Sequence, residues 1–262
     1  MKIFIITQSV PIYIPEFLDN FIEILNESSF IIAGIICLSP FHKKNFIKEL
    51  KNRFNYYGLI AFIKMVIYIL FNKFMSILWI FFPKMKCYSV ENVINKYNIK
   101  KVNFKSINSK NFVEYIKSNK IDIILSIASP EIFKKEILSA PKIGCINYHS
   151  GLLPEYRGRQ PLFWAMLNDE KEFGITIHEM DEKLDNGPII VQKKFPINSK
   201  DSLHSLYKKS IKIGPKLLLD AINRIANNNC ERIENNIKLA KYYSFPTKKD
   251  AKLFRKKGKK FI

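Results

Sequence analysis

With 262 residues, 47% of them hydrophobic and 13% aromatic, the chain has enough apolar material for a sizeable packed core, which excludes wholesale disorder. Its formal net charge of +20, from 43 Lys and Arg against 23 Asp and Glu, favours polyanionic partners: nucleic acid, anionic lipid or phosphorylated substrates. The four cysteines, Cys37, Cys87, Cys145 and Cys230, are too scattered for a zinc or redox motif and read as reduced thiols of a cytoplasmic protein.

In chain order, the short apolar run from residue 2 to 7 is too brief for a signal peptide and predicts a first buried strand. Further strands are expected over 30–39, 99–104, 121–127 and 142–148. Helices are expected over 15–27, 42–52, 90–97, 109–119 and 131–138. Short apolar runs separated by helix-length segments imply βαβ units. The fold class is therefore α/β, a Rossmann-like, mostly parallel sheet with flanking helices, although no G-x-G-x-x-G follows the first strand. Beyond residue 170 the pattern changes to strands over Gly174–Met180 and Pro188–Ile197, bracketing a loop at 181–187. A long helix over 201–228 follows, with Asp201 and Ser202 as candidate caps. The expected units are a catalytic domain over 1–197, carrying an apolar helical insertion at 58–83, and a C-terminal helix with a basic tail over 198–262.

The insertion reads GLIAFIKMVIYILFNKFMSILWIFFP, interrupted only by Lys64 and Lys73. These are nine positions apart and would project from opposite sides of one helix. Its longest uncharged run is ten residues, short of the usual spanning signal. From Leu50 to Val90 there are six Lys and Arg and no Asp or Glu. Such a segment is expected to pack on the core or a second subunit as a helical pair, or to dock at a membrane surface, placing the protein at the inner face of the membrane. The tail from Lys238 to Ile262 carries ten Lys and Arg and one acid, with Phe245, Phe254 and Phe261 available to anchor it.

The chemistry concentrates in residues 142–192. Asn147 and His149 alternate along the end of one strand, so they share a face. They lie at the carboxyl end of the sheet, where open α/β folds bind ligands. Asp185 stands 38 residues after Asn147 in the later loop. An amide can donate to an oxyanion, an imidazole can exchange a proton with an attacking amine, and a carboxylate can hold that imidazole. His178 alternates with Ile175 and Ile177 and is expected to face the other side in a structural role. His42 and His204 have no companions, and no metal set is present. Phe163 and Trp164 are expected in the core or cleft wall. Arg157 is expected to pin its loop and Arg159 to meet a substrate phosphate.

Asn147-Tyr148-His149, Leu152-Leu153-Pro154, Arg157-Gly158, Gly174-Ile175-Thr176 and Asp185-Asn186-Gly187 stand in the order and spacing of the folate-dependent formyltransferases. The chain resembles that family over about fifty residues, with a weaker match back to residue 121; Ser150-Gly151 departs from the small-residue order usual before Leu-Leu-Pro. The resemblance implies an N-formyltransferase that uses 10-formyltetrahydrofolate as donor and no metal, with Asn147, His149 and Asp185 as the catalytic trio. It also implies that Ser129, Pro130, Ile132, Leu152 and Asp181 border the folate. The run Tyr156–Trp164 looks most like the amino-sugar branch, making Tyr156 and Arg159 the candidates for binding a small-molecule amine carried on a nucleotide or lipid. Methionyl-tRNA ranks second as acceptor, because the roughly 65 residues after Ile197 are too few for the barrel domain that helps those enzymes hold tRNA. A catalytically silent, membrane-associated binding protein of the same fold and a formyl-folate hydrolase are the other readings.

Overall fold

The computed structural model describes residues 1–39 and 46–262. Strand β1 (Lys2–Gln8) buries five consecutive residues, as a strand covered on both faces must. It pairs in parallel with β2 (Ile31–Leu38) and β4 (Ile123–Ile127). Strand β5 (Gly144–His149) extends the parallel set beside β4, and the short β3 (Lys101–Val102) closes the other edge. Strands β7 (Glu172–Glu179) and β8 (Ile189–Pro196) then add antiparallel pairs. The result is a seven-stranded sheet in the order β3-β2-β1-β4-β5-β7-β8. It is the mostly parallel, Rossmann-like α/β sheet that the alternation of runs implies.

The helices follow amphipathic patterns. Helix α1 (Ile14–Leu25) starts with Pro15 in its first turn and turns Phe17, Leu18, Phe21 and Ile22 onto the sheet. Helices α2 (Phe46–Tyr57), α3 (Leu59–Leu78), α4 (Val90–Lys96), α5 (Lys110–Ser118) and α6 (Lys135–Leu138) follow in order. The expected helix at 131–138 is thus cut to one turn, and the start of the one expected at 42–52, with His42, lies outside the described residues. Helix α7 (Pro161–Leu167) forms where only a buried aromatic pair was expected. Helix α8 (Leu203–Ala226) begins where foreseen: the Ser202 hydroxyl accepts from the Ser205 amide at 3.1 Å while Ser205 returns the bond.

Two features escape the sequence pattern. The 58–83 segment forms one 20-residue helix rather than a helical pair. The tail does not run free: β9 (Tyr242–Tyr243) pairs with β6 (Arg157–Gly158) as a second, two-stranded sheet. Helix α9 (Lys248–Lys256) then stacks Phe254 on Phe163 of α7, with ring centroids 4.7 Å apart. Phe254 and Phe261 are buried there with Tyr56 and Leu162. The charged side chains of the tail stay outside while its aromatic residues carry the packing.

Candidate active site

The strand register assembles the site. Asn147 and His149 project from β5, and the antiparallel pairing sets His178 of β7 opposite Asn147 and Thr176 opposite His149. Directly opposed residues share a face. His178 therefore turns away from Ile175 and Ile177 onto the same face as the trio, and the structural role expected for it gives way to a place in the site. Asp185 arrives from the β7–β8 loop in a left-handed conformation (φ 48°), which Asp tolerates better than most residues.

Four groups converge. Asp185 Oδ2 lies 3.8 Å from His149 Nδ1, and Asp185 Oδ1 lies 3.7 Å from His178 Nε2. The Asn147 amide nitrogen is 3.2 Å from His178 Nε2 and 3.5 Å from Asp185 Oδ1. His149, His178 and Asp185 are buried, and Asn147 is half-buried.

The second nitrogen of each imidazole fixes its tautomer. His149 Nε2 sits 2.7 Å from the Tyr156 carbonyl, and His178 Nδ1 sits 2.6 Å from the Glu179 carbonyl. A carbonyl only accepts, so these two nitrogens carry hydrogen, and the lone pairs of both neutral rings face Asp185 and Asn147. Adding one proton to either ring creates an ion pair with the carboxylate. Burial pushes the His149 imidazole below its ordinary value; Asp185 pulls it up without overcoming that push, and His178 adds a smaller push down. Burial would raise the Asp185 carboxyl, but the two imidazoles and the Gly158 amide outweigh it and hold it well below the usual carboxylate range. The arrangement is a carboxylate held between two imidazoles, with burial keeping His149 toward its neutral form.

The surrounding loops brace this geometry. The Gly158 amide donates to Asp185 Oδ2 at 2.8 Å, and Asn235 Nδ2 donates to the carbonyls of Asp185 and Gly187 at 3.1 Å each. Arg157, expected to pin its own loop, donates to the Leu184 carbonyl and so ties that loop to the one carrying Asp185. Gly158 has φ 98°, and a Cβ there would lie 2.2 Å from the Tyr243 carbonyl. The close approach of β9 thus demands glycine. Thr176 Oγ1 donates to the Gly151 carbonyl at 2.6 Å, and Gln192 Nε2 donates to the Leu153 carbonyl at 2.8 Å, which fixes the loop after His149.

The trio is brought together; the other expected site residues lie on separate loops. Ser129, Pro130 and Ile132 follow β4, where Glu131 ties the turn to Ser106 Oγ at 2.6 Å and Ile132 is largely exposed. Leu152 lies across Gly174 of β7, where a Cβ would meet its Cδ2 at 2.1 Å. Asp181 is exposed and caps its own loop, accepting from the Lys183 amide at 2.9 Å. Arg159 is exposed, with its guanidinium 5.0 Å from the centre of the Phe245 ring. Tyr156 corrects an expectation. Its side chain is buried, donates to Glu170 at 2.6 Å and stacks on Tyr243, so it faces no acceptor and serves the site through its carbonyl. Asn235, Gly158 and His178 were missed as site residues. Only the last two carried a signal, Gly158 in the Arg-Gly pair and His178 by its alternation with Ile177. Among the described residues, no cluster of His, Cys, Asp and Glu is placed to hold a metal ion.

Known proteins share this arrangement of sequence and fold. Residues 84–222, just over half of the chain, match the family described as formyl transferase. The chain is 37% identical over 161 residues to a methionyl-tRNA formyltransferase of Kosmotoga olearia, covering 62% of this chain and 52% of that one. It is 37% identical over 139 residues to the bifunctional polymyxin resistance protein ArnA of Wigglesworthia glossinidia brevipalpis, covering 53% of this chain and 21% of that one. The chain thus spans about half the length, or less, of these curated relatives. Among solved structures, the sugar 3N-formyl transferase WlaRD, crystallised with dTDP and 5-N-formyl-THF, superposes with a TM-score of 0.59 at 22% identity, covering 93% of this chain and 69% of that one.

Proposed function

This chain belongs to the formyl transferase family, and from that premise we propose that it moves the formyl group of 10-formyltetrahydrofolate onto the amino group of a nucleotide- or lipid-linked amino sugar. The observation that carries the reading is the convergence of Asn147, His149 and Asp185 at the end of β5, with both imidazole lone pairs turned to the carboxylate.

The amine nitrogen attacks the formyl carbon, and the carbonyl electrons move to oxygen. The Asn147 amide donates a hydrogen bond to that oxyanion. The nitrogen becomes cationic on attack and must lose a proton. His149 Nδ1 takes it, directly or through a water, and Asp185 stabilises the imidazolium. Collapse of the intermediate breaks the bond from carbon to folate N10, and the proton passes to the departing tetrahydrofolate. The two imidazoles flanking Asp185 suit a reaction that must hold one proton between attack and departure. Ser129, Pro130, Ile132, Leu152 and Asp181 border the folate in this reading, and exposed Arg159 meets the phosphate of the acceptor's carrier.

The tRNA reading is favoured by one observation, the 37% identity to a methionyl-tRNA formyltransferase. A panel of nucleotide-linked amino sugars and initiator methionyl-tRNA, each supplied with 10-formyltetrahydrofolate, separates the two. Formylation of an amino sugar with tRNA untouched supports the proposal, and the reverse result replaces its acceptor. Absence of both turnover and folate binding removes formyl transfer itself.

A further inference from the structure

Helix α3 inverts the usual distribution of polarity. By length and composition it is apolar enough to cross a bilayer. Its inward face is nevertheless committed to the protein. Met65, Asn72 and Trp79 are buried there, and the Trp79 indole donates to the Met85 carbonyl at 3.2 Å. Ser76 Oγ donates to Ser89 Oγ at 2.8 Å, and Asn92 donates to the Ser76 carbonyl at 3.2 Å. A helix surrounded by lipid would have to surrender these contacts, so this one is not placed to span.

The outward face carries Ile60, Ile63, Ile67, Leu70, Phe74 and Ile77, and the turn at 80–82 continues it; Ile60 is 72% exposed, Ile67 60% and Phe74 59%. Single exposed apolar residues are ordinary, but a continuous stripe of this length marks an interaction surface. At about 100° per residue, Lys64 and Lys73 fall on opposite borders of the stripe. Both are exposed, and Lys84 is exposed beyond its end. No acidic residue occurs between Leu50 and Val90. The basic tail adjoins the base of the helix, where Arg255 donates to the Tyr56 carbonyl at 3.0 Å.

We propose that the outward face of α3 docks in the plane of an anionic lipid surface, with its apolar stripe in the acyl boundary and Lys64, Lys73 and Lys84 among the headgroups. Lysines on both borders of an apolar stripe can extend their stems along it and keep their ammonium groups at the headgroup level. The charge pattern selects lipid over a second copy of the chain. A copy would present the same acid-free stretch, leaving the bordering lysines facing cations, whereas an anionic headgroup layer supplies the missing charge. The inference concerns a face remote in role from the trio, and its test reads lipid binding alone, so it stands or falls separately from formyl transfer.

The full chain should co-sediment with vesicles of phosphatidylcholine mixed with phosphatidylglycerol and much less with phosphatidylcholine alone. Binding should weaken as salt rises. Replacing Lys64, Lys73 and Lys84 by Gln should reduce partition onto anionic vesicles by about fivefold per lysine. The variant I67S/L70S/F74S should lose binding to both vesicle types while melting like the parent, since all three side chains are exposed; should it unfold, the lysine series alone decides. A chain that ignores anionic vesicles overturns the proposal. So does equal, salt-independent binding to neutral vesicles, or a lipid-free dimer that the serine variant converts to monomer.

Discussion

The trio on β5 and the loop before β8 breaks the rule that the interior is apolar, and helix α3 breaks the rule that the surface is polar. At the trio, buried polar groups are individually engaged: Asp185 receives the Gly158 amide, and each imidazole holds a carbonyl on its far nitrogen. On α3, six large apolar side chains of the outward face are 48–72% exposed. A buried carboxylate that has lost its partners costs far more than an exposed isoleucine that never had one. The two regions should therefore respond to substitution on different scales. Replacing Asp185 by Ala removes the group that holds the protonated imidazole and frees the loop that Gly158 anchors. Turnover should fall by at least ~10²-fold, as should that of H149A and N147A. Steady-state rates with saturating folate check this, and a near-parental rate in any one variant takes that residue out of the mechanism.

His178 sharpens the contrast, because its environment matches that of His149 although no resemblance assigned it a role. In H178A the Asn147 amide loses its nearer acceptor and keeps Asp185 Oδ1, and Asp185 keeps a single imidazole. We expect a loss of about tenfold in turnover, smaller than for H149A, together with a changed acid limb in the pH–rate profile. That change is the discriminating readout, since a purely structural role would lower the rate without moving the profile.

The pH dependence has a definite sign. With neutral His149 as the base of the proposed mechanism, burial sets its value below that of an ordinary histidine. Turnover should therefore hold from neutral pH down through ~6.5 and fall only at more acid pH, as the ring takes up its proton. Stability moves the same way. Both His149 and Asp185 bind protons less readily folded than unfolded, so each favours unfolding as pH falls. The His149 contribution begins to be lost below ~6.5 and that of Asp185 below ~4, each continuing down to its own folded value. Melting temperature against pH checks this, and D185N should flatten the acid arm. Asn235 acts further out, holding the Asp185 and Gly187 carbonyls. N235A should cost about 1–3 kcal/mol in unfolding free energy, because it strips a partner from buried carbonyls.

Much of this was legible in the sequence, for reasons that differ by residue. The parallel sheet was readable because buried strands need continuous apolar runs, and Asn147 and His149 because a strand sets alternate residues on one face. Asp185 was legible as a loop residue between two strands, 38 positions after Asn147, but its arrival beside His149 depends on the pairing of β7 with β5. His178 was misjudged because its face has meaning only once β7 is registered against β5; alternation gives two faces and says nothing about which one is the site. Tyr156 was misassigned because the sequence does not distinguish a side chain that faces a ligand from one whose carbonyl does the holding. Asn235 and β9 were invisible, as their partners lie dozens of residues away. Which face of α3 is exposed was not legible: composition allows an apolar helix to pack on the core or to dock at a membrane surface, and only tertiary placement turns its most apolar side outward.

That placement yields the smallest expected effect, and it is the one that tests whether α3 differs in kind from the core. The helix has two apolar faces distinguished only by what touches them. On the inward face, M65A and W79A each empty a packed position and should cost about 2–5 kcal/mol, the range for truncating buried side chains. On the outward face, I67S and F74S remove side chains already 60% and 59% exposed. Each should change unfolding free energy by less than about 0.5 kcal/mol, because little apolar area returns to water when the residue was largely in water to begin with. Serine has about the same helix propensity as the isoleucine and phenylalanine it replaces, so the backbone adds little. Its removal of exposed apolar surface should also raise solubility. Chemical denaturation of the four single variants without lipid gives the comparison directly. If I67S and F74S destabilise as strongly as M65A, the outward face is covered by protein even in the isolated chain, and the distinction between a surface held for a partner and an ordinary core face disappears.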